Sequence, residues 1–140
     1  MSENEMSSII EFDADIAQQE APEPLPAGTY NAQITATEAK VSQSGNKYAA
    51  VTFYISVDDF PADYPVENNP DGVRLVYRRA SLMDNNQGRY GLRKFCESIG
   101  APMSTRIDLN DWVGLEATVE VDLDEWNGET RANITSVETA

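Results

Sequence analysis

GRYGLRKFCESIGAP, residues 88–102, is the one stretch of this chain with clear helical periodicity. Leu92, Phe95, Cys96 and Ile99 fall at i, i+3, i+4 and i+7, which puts them on a single face. Arg89, Arg93 and Lys94 lie largely off that stripe. Asn85 or Asn86 supplies a cap before it. Gly100 suits the left-handed position after it, and Pro102 blocks continuation. Gly91 works against the helix, by about 1 kcal/mol relative to alanine. Three strand-like runs precede this helix and two follow it.

Outward from the helix, the chain alternates. Tyr30, Ala32, Ile34 and Ala36 share one face of a first strand, and the phase then flips so that Ala39 and Val41 continue the apolar set. A one-residue flip of this kind predicts a bulge. Ser42-Gln43-Ser44-Gly45-Asn46 reads as a hairpin loop. In residues 47–57, Ala49, Val51, Phe53, Ile55 and Val57 point inward, and Tyr48, Ala50, Thr52, Tyr54 and Ser56 outward. Residues 58–72 hold three prolines and five acids and form a loop long enough to have a role of its own. The third strand, 73–82, has two possible facings: Val73, Leu75 and Tyr77 inward, or Val76, Ala80 and Leu82. The first keeps Arg74 and Arg78 outside, where an arginine costs least, but turns Arg79 inward towards the strand end or a partner.

After the helix, Ile107, Leu109 and Trp112 are placed to close the core. Leu115, Ala117, Val119, Val121 and Leu123 then form the inner face of a fourth strand. Residues 124–129 contain Asn-Gly, the strongest hairpin dipeptide, and residues 130–137 form a fifth strand.

Composition narrows the function. The chain has 140 residues, one cysteine, no histidine and a net charge of −14. Without histidine the commonest general base and nitrogen ligand are gone, and with one cysteine a structural zinc site is excluded. No nucleophile–base pair, phosphate loop or metal constellation is present, so binding is expected rather than catalysis, with no cofactor. Asp122 to Gly128 resembles a calcium loop only loosely: its glycine is one place late, and Asn133 stands where the twelfth-position glutamate belongs. No apolar run reaches the roughly 18 residues of a membrane span, and the acidic N-terminus lacks signal-peptide features. A cytoplasmic location is therefore expected.

The charge is unevenly spread. Residues 1–27 carry seven acids and no base, whereas residues 73–106 carry seven bases against two acids. Residues 1–25 read as a disordered acidic tail. Their apolar points, Ile9, Ile10, Phe12 and Ile16, also fit a motif that docks on a partner or on the domain's own basic face. Residues 26–140 read as the folded domain.

The order strand, strand, strand, helix, strand, strand, with a long bulged first strand, is that of the OB-fold. The expected architecture is thus mainly β, a five-stranded Greek-key barrel with one helix between strands three and four. Ligands of that fold lie across strands two and three, between the one–two and four–five loops. The residues at those places suit single-stranded nucleic acid, which needs aromatic faces for stacking and cations for phosphates. They are Lys47 at the first loop, Tyr48 and Tyr54 on strand two, Arg74, Tyr77, Arg78 and Arg79 on strand three, Trp126 at the tip of the second loop and Arg131 at the start of strand five. Taken singly, each is an ordinary surface residue; their convergence is the signal.

AGTYNAQI, SQSGN followed by KYAAVTFYI, GLRKFCESIGAP, and DLNDWVGLEATVEV followed by NGETRANI resemble the phage-encoded OB-fold single-stranded DNA-binding proteins, over roughly residues 26–138. The resemblance implies non-sequence-specific binding of single-stranded DNA in phage replication or recombination. It also implies cooperative coating of the strand and contacts to other replication or recombination proteins. Family members often carry a C-terminal acidic tail, whereas here the acidic segment is N-terminal. The competing expectation is a protein-interaction or structural phage module without nucleic-acid affinity. The acids Glu116, Glu120 and Asp122 on strand four favour that alternative, and they also fit a DNA mimic.

Overall fold

The computed structural model describes residues 8–140. The first seven residues of the expected tail lie outside the described residues. The helix, α1, spans Asn86–Ile99. Asn85 is its cap, its side-chain oxygen accepting from the Gly88 N–H at 2.7 Å. Gly100 closes it in the left-handed region with φ 70°. Phe95, Cys96 and Ile99 are buried and Leu92 packs against them, as the spacing requires. Gly88 is buried too, because the start of α1 presses on the preceding chain. A Cβ there would collide with the Met83 carbonyl oxygen.

Five antiparallel strands form one sheet: β1 Gly28–Val41, β2 Lys47–Ile55, β3 Val73–Ser81, β4 Glu116–Trp126 and β5 Glu129–Glu138. Their order across the sheet is β3-β2-β1-β4-β5, with α1 between β3 and β4 in the chain. The hydrogen-bonded ladder is open, and β3 and β5 are its edges. β1 serves both halves. Gly28 to Gln33 pair with β4, and Gln33 to Val41 pair with β2.

The core lies on one face of this sheet. Ala32, Ile34, Ala49, Val51, Phe53, Ile55, Ala117, Val119 and Val121 are all buried. An aromatic series crosses from the sheet to its cover. Tyr77 on β3 stacks on Phe95 of α1 at 5.4 Å. Phe95 in turn meets Trp112 at 5.3 Å. Trp112 ends a short 3-10 turn, Leu109–Trp112, and is 1% exposed. Ile107 and Leu109 pack beside it, as expected.

Several sequence expectations need correction. The phase flip in β1 occurs at Thr35, the extra residue between the pairs Ile34↔Phe53 and Ala36↔Thr52. Ala36 is therefore exposed, opposite the outward Thr52. Ala39 and Val41 have the inward phase but lie beyond the core, and Val41 is 64% exposed. β2 stops at Ile55, and Val57 opens a 3-10 turn instead of extending the strand. The β4–β5 loop is only Asn127-Gly128, with φ 51° and 79°, the double-positive turn that Asn-Gly favours. Trp126 is consequently the last strand residue, paired with Glu129, and not a loop residue. Leu123, expected inside, is exposed.

The facing of β3 resolves in an unforeseen way. Val51 pairs with Tyr77 and Ala49 with Ala80, so Arg78 and Arg79 together oppose the single residue Ala50. This bulge lets Val73, Leu75 and Tyr77 face the core before it and Ala80 and Leu82 after it. Arg79 does not turn inward; both arginines are exposed.

The packed chain begins before residue 26. Leu25 is 1% exposed. The Tyr30 hydroxyl donates to the Pro26 carbonyl at 2.7 Å, and the Tyr64 hydroxyl to the Glu23 carbonyl at 2.7 Å. Tyr64 is buried and meets Phe60 edge-on at 5.3 Å. The long β2–β3 loop thus clamps Glu23 to Pro26 against the sheet. Upstream, Ser8 to Pro22 are exposed, with one 3-10 turn, Ile16–Gln18, capped by Asp15.

Candidate nucleic-acid interface

The bulge in β3 decides the geometry of the candidate site. Strands normally send successive side chains to opposite faces. With the extra residue, Arg78 and Arg79 are both left outside the core, and they line two adjacent cavities. The larger, about 700 Å³, runs from the β1–β2 hairpin (Ser42, Ser44, Asn46) past Lys47 and Tyr48 to Ser81, Met83 and the start of α1. The smaller, about 330 Å³, lies between β3 and the β4–β5 pair, with Asp122, Leu123, Asp124 and Asn133 on its far wall. Arg78 and Arg79 are the shared wall.

Local sequence explains each part. Ser42 closes the hairpin with its own side chain, accepting from the Asn46 N–H at 3.1 Å, while the Ser42 N–H donates to the Asn46 carbonyl at 2.8 Å. The hairpin end of β2 is held to the chain before α1, because the Leu82 N–H donates to the Lys47 carbonyl at 2.9 Å. The N-terminus of α1 opens on the same groove through Asn85 and Gln87, adding the positive end of a helix dipole.

The charges are decisive. Among the described residues, ion pairs hold Lys40, Arg89, Arg93, Lys94 and Arg131 to nearby carboxylates. Lys47, Arg74, Arg78, Arg79 and Arg106 have no carboxylate partner among the described residues, although the chain carries 24 acids. Three of them, Lys47, Arg78 and Arg79, line the larger groove together.

The remaining candidates separate. Tyr54 and Arg74 are cross-strand neighbours, and the guanidinium lies 4.8 Å from the ring centroid. They stand further along the strand, and Tyr54 faces a small polar cavity with Asn31, Gln33, Asp59 and Glu116. Tyr77 is half-buried with one ring face taken by Phe95, and burial raises its phenol above the ordinary value, against a lowering by Arg79. It is a core ring that also borders the smaller cavity. Trp126 is 59% exposed on the protruding β4–β5 ribbon. Arg131 stands 5.3 Å from its centroid and also pairs with Asp124 at 3.0 Å.

Sequence reasoning missed the polar lining: Ser42, Asn46, Ser81 and Gln87. Only the hairpin pair had a signal, the turn chemistry that places them at a loop.

Residues 12–140 match the family model described as "Protein of unknown function (DUF669)". The chain belongs to this family. No curated protein matches it. The DUF669 match spans every residue of the candidate interface and reaches upstream into the exposed acidic segment from Phe12. No helix among the described residues is long and apolar enough to cross a membrane.

Proposed function

We propose that this DUF669 protein binds single-stranded DNA without sequence preference, in phage replication or recombination, on a sheet that curls as an OB-like barrel. The observation that carries the reading is the convergence of Lys47, Arg78 and Arg79, without carboxylate partners among the described residues, on one groove of a strongly acidic chain. Phosphates are the natural counter-charge for such a set, and their displacement of counterions would drive association. Tyr48 in the groove and Trp126 on the ribbon supply ring faces, each worth about 1–3 kcal/mol per stacked base. The barrel reading is supported by the strand order, the bulged β1 shared by both halves, and the cavity that brings the edges β3 and β5 near each other. The phage setting is supported by the motif resemblance alone.

Fluorescence anisotropy of labelled oligo-dT at two salt concentrations tests the proposal. Affinity should fall steeply with salt, and Arg78→Glu with Arg79→Glu should lower it at low salt by ~10-fold or more, or ~1.4 kcal/mol. Absence of binding at low salt would overturn the activity and turn attention to a protein-interaction role. Unchanged affinity in the double variant would leave the activity standing and remove the site.

A further inference from the structure

A second groove lies along α1, apart from Lys47, Arg78 and Arg79. Leu92, Cys96, Met103 and Ile107 make an apolar floor, and Arg89 and Arg93, ion-paired with Asp84 and Glu97, stand at its rim. Its volume is about 390 Å³, and Met103 is 49% exposed. An exposed apolar floor ringed by arginines fits a ligand that is itself apolar and acidic.

This chain carries such a segment. Residues 9–16 read IIEFDADI, alternating large apolar side chains with Glu11, Asp13 and Asp15. Phe12 is 66% exposed and Ile16 70% exposed, so these two side chains are not covered by the domain. Residues 9–15 are not helical in this structure; in a helix, Phe12 and Ile16, at i and i+4, would share one face with Ile9. Asp15 already caps a turn at Ile16–Gln18, and an amphipathic turn laid in an apolar groove is a common mode of recognition.

We propose that the α1 groove receives the Ile9–Ile16 segment of a second copy of the chain, Phe12 and Ile16 entering the apolar floor and the acids competing with Asp84 and Glu97 for the exposed Arg89 and Arg93. The contact joins two different surfaces, so it is head-to-tail. One copy of a pair then keeps a free segment and the other a free groove, so the pair either closes by reciprocal exchange or grows as an open row. The inference stands independently of DNA binding, since it uses neither the β3 arginines nor the hairpin groove.

Sedimentation velocity of the full chain without nucleic acid, over a wide concentration range, tests it with two variants. Phe12→Asp with Ile16→Asp disables the segment and leaves the groove. Met103→Glu with Arg93→Glu disables the groove and leaves the segment. All four positions are exposed, and circular dichroism checks that both variants fold. The wild-type mass should rise with concentration to that of a dimer or beyond, and each variant alone should stay monomeric. An equimolar mixture of the two should form a 1:1 complex and grow no further. A wild-type chain monomeric throughout would overturn the proposal, including the case in which the segment folds back on its own groove. Association surviving in both variants would overturn it as well, by placing the contact elsewhere.

Discussion

Val121 and Leu123 stand two residues apart on β4 and point to the same side of the sheet, yet Val121 is 1% exposed and Leu123 41%. β1 makes the same passage, from Ile34 at 1% to Val41 at 64%. In both strands the alternation runs on after the core has ended. β4 leaves β1 after Val121, so from Asp122 to Trp126 it pairs with β5 alone. The inner halves of these strands are scaffold. Their outer halves are ribbons that rise beyond it and carry the hairpin groove at one place and Trp126 at the other. Periodicity reports which way a side chain points; only the partner layer determines whether anything covers it.

The strongest challenge to this division is Trp112→Ala. It empties the site where α1 and the sheet meet, and should cost about 3–5 kcal/mol in urea unfolding. A cost near zero would mean that the inner half is not the scaffold. Gly88→Ala comes next, because its methyl group must displace the Met83 backbone. We expect a loss of about 1–3 kcal/mol, the usual range for overpacking, without a direct effect on the cationic side chains. Trp126→Ala should show the opposite profile. Its unfolding free energy should stay within about 0.5 kcal/mol of wild type, as for ordinary surface positions, while oligo-dT affinity falls by about 1–3 kcal/mol. If stability fell instead, the ribbon would belong to the scaffold.

The smallest expected effect is alkaline. Burial pushes the Cys96 thiol above its ordinary 9.0, and the Tyr30 and Tyr77 phenols above 10.0. Their neutral forms are favoured in the folded state. Stability from these groups is therefore full below the ordinary values and declines as pH rises through the raised ones. The urea midpoint should fall gradually above about pH 9, and Cys96→Ala should remove the thiol's share of the decline. A decline unchanged by that substitution would exclude Cys96 as a contributor.

The helix was fully legible, because its apolar stripe, cap and stop all agreed. The strand order was legible for the same reason. Leu25 was not: it sits in EAPEPLPA, whose prolines and acids read as tail. Two tyrosines bond the neighbouring carbonyls, Tyr30 from four residues on and Tyr64 from the distant β2–β3 loop, and only the first is close enough in sequence to be anticipated. The site was half legible. Cations and rings could be assigned to the right strands, but Tyr77 was already engaged by Phe95. Arg74 sat by Tyr54, away from the groove, and Arg79 was misdirected. Those outcomes depend on tertiary neighbours or on a bulge, which side-chain alternation alone does not reveal.

That bulge has the logic of a frameshift. β3 must satisfy two alternations, one ending at Tyr77 and one resuming at Ala80, and no uninterrupted strand can satisfy both. The extra residue changes the frame, and the two positions inside the shift are the arginines. Chain length at this point therefore matters more than side-chain identity. Replacing either arginine leaves the frame intact, whereas deleting one forces β3 to give up either the Val51 or the Ala49 pairing. An insertion that began as slack in a strand would thus become, once the core had packed on both sides of it, the one residue that cannot be removed.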